Sequence, residues 1–179
     1  MFVEPFFLTP ASMNDVSGIA GELKKKGYYS AFFHGAENGS MGFEAFARKT
    51  GFTDYFGRTE YNADKRFGGD KDFDGMWAIW DEPFLQFFAT KMSEFKQPFV
   101  SAVFTASSHH PYKVPEKYKD IYKEEGIAIH KCIRYTDNAM RLFFEKAKTQ
   151  PWYKNTLFVI TSDHTNLSDH AYYQTDLGG

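Results

Sequence analysis

At 179 residues, with 42% hydrophobic residues and a formal net charge of −2, the chain can bury one core but has no charge excess that would mark a nucleic-acid or polybasic membrane footprint. Aromatic residues reach 19%, with 20 Phe and 11 Tyr, which excludes a disordered chain. A single cysteine, Cys132, excludes a disulfide framework, and no stretch approaches the roughly 20 apolar residues needed to span a bilayer, so a soluble chain is expected.

The opening residues, MFVEPFFLTPAS, are apolar and interrupted by Pro5 and Pro10, which predicts an extended lead-in. Ser12 or Asn14 can cap a helix running to about Lys26, with Val16, Ile19, Ala20 and Leu23 on one face and Gly27 as its stop. Lys24, Lys25 and Lys26 suit its C-terminus, where cations complement the helix dipole. YYSAFFHG follows as a short strand, and His34 is its last side chain before the glycine turn. Residues 35–43 are rich in turn-forming Gly, Ser and Asn, and a helix through Phe43, Phe46 and Ala47 ends near Gly51. From Phe52 to Asp74 the sequence is polar, aromatic and glycine-rich without sustained periodicity, and loops of that length often carry function.

Trp77 and Trp80 lead into DEPFLQFFATKMSEFK, a helix with Asp81 as its cap, Glu82 and Pro83 in its first turn, and Phe84, Leu85, Phe88 and Met92 as its buried stripe. Gln97-Pro98 introduces a further strand from Phe99 to Ala106, whose apolar run ends in Ser107, Ser108, His109 and His110. Beyond a polar linker with Pro115, the spacing of Ile129, Ile133, Met140, Phe143 and Phe144 predicts a long helix from about Gly126 to Lys148, with Cys132 packed in its body. Leu157, Phe158, Val159 and Ile160 form a continuous apolar run, the pattern of a strand buried on both faces, and Asp163 and His164 stand side by side where it stops. Asn166 to Gly179 reads as a loop. Such strands alternating with helices predict an α/β fold with a mainly parallel sheet and helices on both faces.

Three expected strands thus end in histidine, at His34, His109 and His164, in a chain with six histidines. If the strands are parallel their carboxyl ends share one rim, where open α/β sheets bind ligands. A carboxylate beside an imidazole offers the oxygen and nitrogen donors that divalent metals take, and a bound metal can polarise a phosphoryl or sulfuryl oxygen. His109 can hydrogen-bond an oxyanion or protonate a leaving group, since an imidazole exchanges protons near neutrality. The competing use of each histidine is to cap a turn or satisfy a local carbonyl. No serine lies in a Gly-x-Ser-x-Gly nucleophile turn.

The segments LKKKGYYSAFFHG, DFDGMWAIWDEPFLQ, FTASSHHPY and NTLFVITSDHT, in that order from about Ile19 to Thr165, resemble the lipoteichoic acid synthase-like branch of the sulfatase and alkaline phosphatase superfamily. The resemblance implies an alkaline phosphatase-like fold and a phosphotransferase or hydrolase acting on phosphodiester, phosphoglycerol-type or sulfate ester groups of anionic lipids or glycans. It implies a divalent metal held by Asp163 and His164, manganese first, with Mg2+, Ca2+ or Zn2+ as alternatives. His109 matches the histidine that contacts the substrate phosphate or leaving group, and His110 a more variable position. His34 falls where broader sulfatases place an anion-contacting histidine, and Trp77, with Asp72 or Asp74 nearby, where the synthases hold the head group. The arginine expected after that tryptophan is absent, since Ala78, Ile79 and Trp80 follow.

The family's threonine nucleophile and first acidic ligand are expected upstream of residue 14, in sequence this chain does not contain, and Thr9 stands too close to the first helix to fill that place. Residues 1–179 therefore read as part of a sulfatase-like catalytic domain, inactive by itself, from a bacterial envelope protein whose membrane attachment and C-terminal subdomain lie in other segments. A rival reading is a non-catalytic module that binds an anionic glycan or lipid head group on an aromatic surface of Trp77, Trp80, Tyr55 and Tyr61, for which buried packing is the competing use.

Overall fold

The computed structural model of the chain describes residues 16–123 and 125–164. In chain order its elements are α1 (Ile19–Lys24), β1 (Tyr29–His34), α2 (Phe43–Lys49), β2 (Asp54–Phe56), α3 (Arg58–Ala63), α4 (Asp81–Met92), β3 (Phe99–Phe104) and α5 (Ile129–Ala147). The three strands form one parallel sheet in the order β2-β1-β3. β1 is central, its register running from Tyr29 opposite Phe99 to His34 opposite Phe104, with Ala31 opposite Asp54 on the other side.

Because side chains alternate along a strand, β1 serves two different layers. Tyr29, Ala31 and Phe33 point to the main core, where the Phe33 ring stacks on Phe56 at 4.6 Å and meets Phe88 edge-on at 4.8 Å. α4 lies between this face and α5, and it buries Phe84, Leu85, Phe87, Phe88, Ala89 and Met92 around most of its circumference. α5 covers it with a single stripe, Cys132, Tyr135, Ala139, Phe143 and Ala147, spaced three or four residues apart as one helix face requires.

Ser30, Phe32 and His34 point to the opposite layer. The Ser30 hydroxyl accepts the Thr53 N–H at 3.0 Å, Phe32 stacks with Tyr55 at 5.9 Å, and His34 packs on Phe43 at the start of α2. α1 closes against the end of α2 through glycine: Gly51 has φ +101°, and a Cβ there would stand 2.4 Å from the Gly21 Cα. The sheet therefore carries helices on both faces, as expected for the α/β class.

The expected strands at 29–34 and 99–104 and the helices at 43–49, 81–92 and 129–147 are present. α1 begins only at Ile19, with Gly18 before it; the proposed caps Ser12 and Asn14, Thr9 and the loop 166–179 lie outside the described residues. The stretch from Phe52 to Asp74 is structured rather than a loop. A three-residue strand is too short to show a period, and α3 has its N-terminus held by Glu60, whose carboxylate accepts the Gly57 N–H at 2.7 Å.

The strand expected over Leu157–Ile160 is not formed. Leu157, Val159 and Ile160 are 88%, 80% and 66% exposed, and only Phe158 turns inward, 5.1 Å from Phe144 and 5.5 Å from Tyr153. A strand exists by pairing, and among the described residues no ladder partner lies beside this segment. Asp163 and His164 consequently do not stand at a strand end.

Truncating the ring that meets both Phe56 and Phe88 tests this account. Phe33→Ala is expected to cost about 3–5 kcal/mol of unfolding free energy, read by urea denaturation. A loss below about 1 kcal/mol would show that the β1–α4 layer is not the main core.

Candidate functional site

The carboxyl ends of β1 and β3 lie side by side and place three of the sequence-expected site residues in one neighbourhood. His34 is fully buried, its ring enclosed by Phe43 at 4.7 Å, Trp77 at 5.1 Å and Phe104 at 5.2 Å. Its Nδ1 lies 3.1 Å from the Phe104 carbonyl. A carbonyl can only accept, so Nδ1 carries the proton and Nε2 of the neutral ring is an acceptor; that atom is buried without a hydrogen-bond partner. Burial pushes the His34 pKa down, with the Phe104 carbonyl pulling weakly the other way.

Trp77 forms the wall between His34 and the outside. The Asp74 carboxylate holds the indole's backbone in place by accepting the N–H groups of Met76 at 2.7 Å, Trp77 at 2.7 Å and Ala78 at 3.2 Å. The indole N–H donates to Ser40 at 3.3 Å, and the ring lies 4.8 Å from that of His109. Ser40 belongs to a tight turn in which Gly39, Met41 and Gly42 all have positive φ.

His109 follows β3 by five residues and is exposed. Its Nδ1–H donates to the His110 carbonyl at 2.9 Å, which leaves Nε2 as the ring atom able to engage a ligand. The loop beneath it is tied down by Asp81, which does not cap α4 as expected. Trp80 occupies the cap position, Asp81 is the first helical residue, and its carboxylate turns back across the sheet end. One oxygen accepts the N–H groups of Ala106 at 2.8 Å and Ser107 at 3.2 Å, and the other accepts the Thr136 hydroxyl at 2.8 Å. Asp81 is 3% exposed; burial pushes its carboxyl pKa up, and these donors pull it back. Trp77, Trp80, Ser107, His109, His110 and Lys113 line a shallow cleft here.

The structure brings His34, Trp77 and His109 together, but it does not add Asp163 and His164 to them. Those two are exposed, 3.4 Å apart between Asp163 Oδ2 and His164 Nε2, and neither lines the cleft. As an oxygen and a nitrogen donor they suit a divalent cation, which takes four or more ligands, and among the described residues no cluster of three His, Cys, Asp or Glu is placed to hold one. The aromatic surface of the rival reading loses its two tyrosines to buried packing. Tyr55 and Tyr61 are core residues, and the Tyr61 hydroxyl donates to Asp72. Both acids near Trp77 are thus engaged internally, Asp72 by Tyr61 and Asp74 by backbone.

Sequence reasoning missed Asp81 and Thr136 as parts of this site, and it named Asp74 beside Trp77 without its role as acceptor for the backbone. An acid in the first turn of a helix has a sufficient local use in the dipole, so nothing in the sequence pointed to its reach across to β3.

A family model described as sulfatase matches residues 2–177 of the chain. The lipoteichoic acid synthase-like protein YvgJ of Bacillus subtilis is 28% identical over 152 residues, covering 82% of this chain and 24% of that protein. Phosphoglycerol transferase I of Escherichia coli is 25% identical over 177 residues, covering 95% of this chain and 22% of that protein. The chain spans about a quarter of the length of these relatives. The solved structure of an alkaline phosphatase superfamily protein from Vibrio parahaemolyticus superposes with a TM-score of 0.66 at 28% identity, covering 81% of this chain and 35% of that one.

The buried neutral state of His34 carries a pH dependence. Its folded pKa lies below the unfolded value of about 6.5, so the unfolded chain binds more protons between the two, and stability present above about pH 6.5 is lost as pH falls through the folded value. The urea midpoint is expected to drop between about pH 7.5 and 5.5, and His34→Gln to flatten part of that drop. The same slope in both proteins would remove His34 as a cause.

Proposed function

Since this chain belongs to the sulfatase family, within its lipoteichoic acid synthase-like branch, we propose that the protein transfers or hydrolyses phosphodiester groups of the phosphoglycerol type on anionic lipids or glycans of a bacterial cell envelope. Sulfate esters are the neighbouring substrate class. The observation that carries this reading is the exposed His109 set against Trp77 at the carboxyl rim of a parallel sheet, the place where such sheets bind ligands.

In this reading His109, as the imidazolium, donates its Nε2–H to a phosphoryl oxygen or passes that proton to the leaving oxygen, while Nδ1–H stays on the His110 carbonyl. Trp77 offers an apolar wall to the carbon skeleton of the head group. His34 supports that wall from behind: under Phe43, Phe104 and the indole, it reaches a substrate only if Trp77 moves. Asp163 and His164 supply two ligands to a divalent cation, manganese first. A bound cation would polarise the phosphoryl oxygens and activate the attacking group. Among the described residues no third His, Cys, Asp or Glu is placed beside Asp163 and His164 to complete a metal site, so residues 1–179 by themselves are expected to turn over poorly. Among the described residues Cys132 is buried in α5 and no helix is long and apolar enough to cross a membrane.

Calorimetric titration tests the assignments. Mn2+ binding is expected to be lost in Asp163→Ala and in His164→Ala and retained in His109→Ala, whereas glycerol phosphate binding is expected to weaken about tenfold in His109→Ala, the loss of one charge-assisted hydrogen bond. Mn2+ binding unchanged in both of the first two variants would remove the metal assignment. Glycerol phosphate binding indifferent to Mn2+ would favour the non-catalytic module, whose tyrosines the core has already claimed.

A further inference from the structure

We propose that Asp81 is the positioning residue of this site, a buried carboxylate that sets where His109 stands relative to Trp77. The proposal rests on His109 being the ligand-facing histidine. Asp81 is 3% exposed, and a carboxylate so placed is retained only when its lone pairs are satisfied. Its partners are not those of a helix start. Ala106 and Ser107, themselves buried, donate their N–H groups to one oxygen, and Thr136 from α5 donates to the other. The Asp81 N–H returns a bond to the Ser107 hydroxyl at 3.0 Å, so the two segments are buttoned in both directions.

The consequence for the site follows from chain connectivity. Trp77 lies four residues before Asp81, in a segment fixed by the Ile79 N–H on the Gly35 carbonyl and the Trp80 N–H on the Asp72 carbonyl, both at 2.9 Å. His109 lies two residues after Ser107, and Ser108 between them meets the Thr136 hydroxyl at 3.2 Å. One side chain therefore anchors both approaches to the 4.8 Å contact of the His109 and Trp77 rings. Without the carboxylate, two buried N–H groups lose their acceptor and the loop must shift to find water.

The test reads the ring contact itself. His109 side-chain proton resonances are expected to carry a ring-current shift from Trp77, identified by its loss in Trp77→Leu. In Asp81→Ala, which removes the acceptor, measured well below its melting temperature, that shift is expected to fall by half or more while the resonances of His130, in the first turn of α5, stay in place, and glycerol phosphate affinity to drop about tenfold. Thr136→Val, which removes one donor and keeps the side-chain shape, is expected to give a smaller loss in the same direction, and it decides alone if Asp81→Ala does not fold. A lowered melting temperature with the His109 shift unmoved in the folded variants would make Asp81 a structural anchor only and overturn the proposal. Loss of the shift in a chain whose wild type never binds glycerol phosphate would leave the positioning intact and sink the proposed function instead.

Discussion

β1 is the constraint on which everything else in this chain depends. It is paired on both edges and packed on both faces, so each of its side chains is assigned by parity alone. Odd residues go to a phenylalanine-rich layer against α4 and α5, and even residues to a layer that turns polar toward the strand's end. A shift of one residue would put Phe33 among the rim groups and bury His34 in the aromatic core. The ladder to β3 prevents this by pairing His34 with Phe104, whose carbonyl then fixes the imidazole tautomer. Stability and site geometry are set by the same register.

The rim's polar groups are divided between inward and outward duties. Asp81, Asp74 and Asp72 are all acidic, all near Trp77 or His109, and all occupied by the protein's own donors. Carboxylates used this way act as fixed acceptors for backbone N–H groups that would otherwise be unsatisfied in a buried turn. What they leave facing outward is the imidazole of His109, the indole of Trp77 and the cation of Lys113, a set that suits an anion with an apolar portion.

Much of this was legible in the sequence because apolar runs end abruptly. YSAFFH and FVSAVF stop at polar residues, which marks strand ends, and parallel strands put those ends on one rim. That logic placed His34 at the end of β1 and brought His109 to the same rim, in the loop five residues beyond β3 rather than at its end. It failed at Leu157–Ile160, where the composition suits a buried strand but burial depends on a neighbouring ladder, which a run of four residues does not encode. Tyr55 and Tyr61 took the buried use set against the aromatic surface, which the sequence names but does not decide, since a tyrosine in a glycine-rich stretch reads the same whether it faces solvent or core. Asp81 was hidden for a different reason: its partners are 25 to 55 residues away, and no local pattern records where a short side chain points.

The turn at 39–42 touches the rim differently from the other segments. Its backbone is held by positive-φ residues, and its Ser40 meets Trp77 through one hydrogen bond of 3.3 Å. The frame of Asp81, Ala106, Ser107 and Thr136 makes no use of it. Changes of length or chemistry in that turn can therefore alter what lies over the indole without disturbing the placement of the histidine. In evolutionary terms the two parts are separately editable: one keeps His109 in place while the other can change what covers Trp77.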